Sequence, residues 1–94
     1  MKKSIYLASW RGKSLFGQPE PNTWKSAKGS SLNEYETKCL HDGQIVVHPK
    51  KSARMSKVFV MDEKNNIWSV IIADNTLEKL KNELREVGYL TAAA

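Results

Sequence analysis

Lys57-Val58-Phe59-Val60-Met61 and Ile67-Trp68-Ser69-Val70-Ile71-Ile72 are joined by Asp62-Glu63-Lys64-Asn65-Asn66. Both runs are rich in β-branched and aromatic side chains, which suit a pleated surface, and the connection holds turn-forming Asp and Asn. The stretch reads as a β-hairpin. Successive side chains of a strand point to opposite faces, and here both sets are apolar. Val58, Val60, Trp68, Val70 and Ile72 line one face; Phe59, Met61, Ile67 and Ile71 line the other. Both faces need cover.

The first cover follows directly in the chain. Leu77, Leu80, Leu84 and Val87 recur at helical spacing, Asn75 stands as a cap with Glu78 three residues on, and Gly88 is a left-handed stop. This helix predicts a core of Ile5, Leu7, Val58, Val60, Trp68, Val70, Ile72, Leu77, Leu80 and Leu84. For the second face two occupants compete. The 11–31 segment can cross it with Trp10, Phe16 and Trp24, or another chain covers it.

Working toward the N-terminus, Pro49 to Ser56 reads as a polar basic loop and Gln44 to His48 as a strand. Residues 34–41 carry two patterns at once. Ser31-Leu32-Asn33-Glu34 suits a helix capping box, whereas Glu34-Tyr35-Glu36-Thr37-Lys38-Cys39 alternates as strands do. Asp42-Gly43 between two such runs is a hairpin signal, so strands are expected at 34–41 and 44–48. Ser4 to Ser9 reads as a first strand. From Arg11 to Ser31 glycines and prolines break every periodicity, apart from a short helical turn at Trp24–Lys28 that Thr23 can cap and Gly29 end. The expected fold class is α+β: one small domain over 1–91, with an antiparallel sheet of about five strands in two consecutive hairpins and one C-terminal amphipathic helix on one face. Residues 92–94 are set aside as a tail.

The chain has 94 residues and 10.7 kDa, with ordinary apolar and charged content. A single cysteine, Cys39, excludes an internal disulfide and favours a reducing, cytoplasmic setting. The apolar run near the N-terminus is interrupted by Arg11 and Lys13, short of a signal peptide, and no run approaches the roughly 20 apolar residues of a membrane span.

Net charge is +5 and unevenly placed. Lys2, Lys3, Arg11, Lys13, Lys25 and Lys28 face only Glu20 in the first 28 residues, and Lys50, Lys51, Arg54 and Lys57 face no acid between 44 and 57. Such clustering suits a polyanionic partner.

Motifs for catalysis are poor. Arg11-Gly12-Lys13-Ser14 follows an apolar run as a P-loop tail does, but Leu7 stands where the first glycine belongs and no helix start follows. Cys39, His41, Asp42 and His48 match no zinc spacing. A metal-independent ribonuclease needs an acid and a base about one phosphate. On the expected hairpin, His41 and His48 stand about 13 Å apart. Pairing one His with Glu34 or Glu36 is the remaining option. No enzyme activity, cofactor or metal is expected.

The basic segments interleave rings with cations. They point to a small non-enzymatic protein contacting DNA or RNA backbone, or a nucleic-acid-handling complex, through Arg11, Lys13, Trp24, Lys25, Lys28, His48, Lys50, Lys51, Arg54 and Lys57. The alternative is an inhibitor or adaptor of the small accessory kind found in bacteria and mobile elements. It would dock an acidic protein surface or a second copy of itself through Phe59, Met61, Ile67 and Ile71. The ribonuclease stands third.

Overall fold

The computed structural model describes residues 2–15, 17–28, 32–50 and 54–88. In chain order the elements are α1 (Lys3–Ser9), β1 (Lys25–Ser26), α2 (Glu34–His41), β2 (Val46–Lys50), β3 (Met55–Met61), β4 (Ile67–Ala73), a 3-10 turn (Asp74–Thr76) and α3 (Leu77–Glu86). The four strands form one antiparallel sheet in the order β1-β4-β3-β2. The fold is α+β with helices on both sides of the sheet, one strand fewer than the sequence suggests.

The hairpin of β3 and β4 is the centre. Its turn is organised by the buried carboxylate of Asp62. Oδ1 accepts from the amides of Lys64 (2.8 Å) and Asn66 (2.9 Å), and Oδ2 accepts from Trp68 Nε1 (2.9 Å). Val58, Val60, Val70 and Ile72 meet Leu7 of α1 and Leu80 and Leu84 of α3, with Trp68 and Leu77 at the margin. The expected core is therefore present except at Ile5, which is 56% exposed.

Three local expectations are corrected. Ser4–Ser9 is helix, not strand. The Ile5/Leu7 alternation spans too few residues to decide, and only Leu7 is buried. The N-terminus of α1 has no local cap. Glu63, in the β3–β4 turn, accepts from the Ser4 amide (2.9 Å) and from the Ser4 hydroxyl. The Ser4 hydroxyl first, then the Glu63 amide and the Ser4 amide, hold the Glu63 carboxyl down at about 2.

Residues 34–41 are helix too. Asn33 and Glu36 make the reciprocal capping box: Asn33 Oδ1 accepts from the Glu36 amide (2.8 Å), and Glu36 Oε1 accepts from the Asn33 amide (3.1 Å). Asp42-Gly43 ends this helix instead of turning a hairpin. Asp42 keeps φ −81°, so a type I′ turn is not formed; Gly43 takes φ +80°. Gly43 N donates to Leu40 O (3.2 Å) and Gln44 N to Cys39 O (3.0 Å), the paired bonds of a glycine-closed helix end. The hairpins are accordingly β2–β3 and β3–β4, and the basic loop is shorter than expected because Pro49 and Lys50 belong to β2, and Met55 and Ser56 to β3.

The third correction is at Trp24–Lys28, where Lys25 pairs Ser69 and Ser26 pairs Trp68 as a short edge strand. Asn22 prepares that pairing by bridging Gly12 and donating its side chain to Ile71 O. Gly12 is required there, since a Cβ would lie 2.3 Å from the Trp10 ring.

The helical reassignment of 34–41 resolves the second apolar face. Leu40, with Leu32 and Cys39 beside it, packs on Val46, Phe59, Met61, Ile67 and Ala27. The chain covers this face itself, with α2. Trp10 and Trp24 belong to the opposite cluster, and Phe16 lies outside the described residues.

Truncating Leu40 to Ala should cost about 2–5 kcal/mol in urea unfolding, whereas Tyr35→Ala on the same helix, 75% exposed, should stay within about 0.5 kcal/mol. Equal effects would mean that α2 is not a core element.

Candidate functional site

The α2 helix is short, and the sheet face beneath it is longer. Antiparallel partners stand side by side on one face. One row on the α2 side is Val46, Phe59, Ser69 and Lys25; the next is His48, Lys57 and Ile71; the last is Lys50, Met55 and Ala73. The α2 contacts cover Val46 and Phe59 of the first row and Met61 and Ile67 beyond it. In the second row α2 reaches only His48, through Glu36.

This geometry gathers cations from separate parts of the chain. Lys25, Lys50 and Arg54 are exposed, Lys57 is half-buried, and the His48 side chain is 37% exposed. Arg54 leads into β3 with φ +50°, and its carbonyl accepts from the Asp74 amide (3.0 Å). Among the described residues, no carboxylate lies within ion-pair distance of Lys25, Lys28, Lys50, Arg54 or Lys57. Phe59 holds two of these groups in place. Its ring meets His48 edge-on at 5.0 Å, and Lys57 Nζ stands 5.4 Å above it.

His48 is the exception to the unpaired set. Its Nε2 lies 2.5 Å from Glu36 Oε2. Glu36 thus uses one oxygen to cap α2 and the other to tie that helix to β2. The His48 bond, followed by the Asn33 amide, lowers the Glu36 pKa below its usual 4.5. The sequence named Glu36 only as one of two candidate partners for a histidine. The signal that identifies it is its place three residues after the capping Asn33.

The other expected contacts divide. Arg11 donates Nη1 to the carbonyls of Ala8 (3.0 Å) and Trp10 (2.8 Å), closing the end of α1. It shares a shallow groove with Lys25. Lys13 and Lys28 are exposed and belong to no strand, and Lys51 lies outside the described residues. Trp24 is 4% exposed and packs edge-on against Trp10 at 5.9 Å, so its ring is not a surface platform. Phe59 and Met61 are buried under α2, while Ile67 and Ile71 are half-buried, so these four do not form an open docking face. His41 sits on the last turn of α2, not on a strand beside His48. Among the described residues no group of three metal-ligating side chains converges, and no helix is long and apolar enough to cross a membrane.

A carboxylate whose pKa is lowered by folding stabilises the folded state above its ordinary pKa, and that contribution is lost as pH falls through the lowered value. Glu36→Gln should therefore lower the urea midpoint at neutral pH, and the gap from the native chain should close as pH drops well below 4.5. A gap unchanged at low pH would show that the Glu36 charge has no part in the link.

No protein-family model, no curated protein and no solved structure matches this chain.

Proposed function

We propose that this protein binds nucleic acid through the phosphate backbone, without catalysis, on the open part of the sheet face. Lys50 and Lys57 are the central contacts, with His48 and Lys25 flanking them and Arg54 at the end of the face. One observation carries this: strand register puts Lys25, His48, Lys50 and Lys57 on a single face, and among the described residues only His48 of these four has a carboxylate partner. A solvating charge distribution needs no such gathering. On α3, Lys81 pairs Glu78 (3.6 Å), and cations alternate with acids along the helix.

The mode of contact follows from the elements. A sheet with protruding lysines fits the phosphates of a strand laid across it, held electrostatically and with little base reading in a groove. The α3 helix packs on the other side of the sheet and is nearly balanced in charge, which suits it poorly to act as a recognition helix. The Glu36–His48 pair does not by itself supply a nuclease. The two groups are bonded to each other, whereas cleavage needs an acid and a base on either side of one phosphate.

Fluorescence anisotropy with labelled oligonucleotides tests this. Binding should be measurable at about 50 mM salt and fall steeply by about 200 mM. The triple variant Lys25→Gln, Lys50→Gln, Lys57→Gln should flatten the log–log salt slope by about 2–3, at roughly 0.7–0.9 per lost phosphate contact. The matched α3 variant Lys79→Gln, Lys81→Gln, Arg85→Gln should leave the slope unchanged. Absence of binding at low salt, or equal effects of both triples, overturns the proposal.

A further inference from the structure

The last row of the open face leads into a groove of about 500 Å3 whose lining includes Leu15, Arg54, Met55, Ala73, Asp74 and Asn75. We infer that this groove takes an unpaired nucleobase, so that the ligand is single-stranded rather than duplex nucleic acid. The inference rests on the backbone-binding role proposed above and names the form of its ligand.

The position of the groove is the first support. Lys50 pairs Met55, and Met55 pairs Ala73, so the groove floor and the Lys50 cation belong to one row of one face. A phosphate held at Lys50 brings its own base to the groove. In a duplex that base is stacked and paired inside the helix and cannot turn aside without being unpaired.

The lining is the second support. A base needs a flat apolar contact, a cation or ring to stack on, and hydrogen-bonding groups at its edge. Met55 and Ala73 give the apolar floor and the half-buried Leu15 a wall. The Arg54 guanidinium, without a carboxylate partner among the described residues, is the planar cation. Asp74 and Asn75 stand at the edge, with Asp74 Oδ1 accepting from the Ser56 hydroxyl (2.6 Å). That negative group repels phosphate and accepts from base amino groups, so it favours a base in the groove and the phosphate at Lys50.

Arg54 itself is held in an uncommon conformation. Its φ of +50° is costly for a side chain of this size, and the bond from the Asp74 amide fixes the corner that presents it.

Anisotropy titrations of the full chain at low salt decide the matter. Three probes of equal length, about twelve nucleotides, are compared: a mixed-sequence single strand, an abasic strand with the same phosphates, and the mixed strand annealed to its complement. The mixed strand should bind at least about tenfold tighter than the abasic one and tighter than the duplex. Ala73→Leu, which fills the groove at a half-exposed strand end, should reduce the mixed strand to the abasic affinity and leave the abasic affinity unchanged. Its thermal unfolding verifies the fold. Should that variant unfold, the comparison of probes on the native chain still decides. Equal binding of mixed and abasic strands, or a duplex bound as tightly as the single strand, overturns the base site while leaving backbone binding intact. Binding of none of the three overturns backbone binding itself, and the base site with it.

Discussion

A hairpin that is apolar on both faces has no side to give to solvent. Everything else in this protein answers that constraint at β3 and β4. With α1 and α3 against Val58, Val60, Val70 and Ile72, the opposite face still carries Phe59, Met61 and Ile67, and α2 is the element that closes it. The α2 helix is eight residues long and cannot roof the whole sheet. Where it stops, the outward residues of the same strands change from Phe and Met to Lys57, His48 and Lys50. The limit of the second core is thus also the boundary of the basic surface, and one set of strands serves both.

Two side chains join these regions. Phe59 is buried by α2 yet orients Lys57 and His48 from below, so the core and the charged rows share a residue. Glu36 does the same from above, its two oxygens divided between the start of α2 and the β2 imidazole. Its Oε2 is taken by the imidazole, and among the described residues Lys50, Lys57 and Arg54 have no carboxylate within ion-pair distance.

What could be read from the residues follows the range of the forces involved. The β3–β4 hairpin and α3 were legible because their periodicity, turns and stops are local, and the core between them followed at every expected position except Ile5. Two of the failures share one cause: the deciding partner is far away in the chain. The start of α1 is capped by Glu63 across the molecule, and β1 exists only because Ser69 and Trp68 offer a free edge. At 34–42 the signals were local but shared. Asp-Gly serves a hairpin and a helix end alike, since both need a glycine at positive φ, and the capping residues decided the matter. Of the site, the charges were legible and their convergence was not. Lys25 comes to the row beside that of Lys57 only through sheet register, and Trp24, taken for a stacking ring, is drawn into the core by its place beside β4.

The attachment of the N-terminal quarter has a bearing on how the chain reaches this state. The three strands β2, β3 and β4 are consecutive in the chain and α3 follows soon after, so their contacts close small loops. By contrast, the Ser4–Glu63 link spans 59 residues, and the β1–β4 pairing joins Lys25 to Ser69. Loop-closure entropy makes such distant contacts expensive until the surfaces that receive them exist. Loop-closure entropy thus favours a meander and helix that form first and then receive Ser4 of α1 and Lys25 of β1. The segments of α1 and β1 gain their receiving surfaces only once β4 is in place.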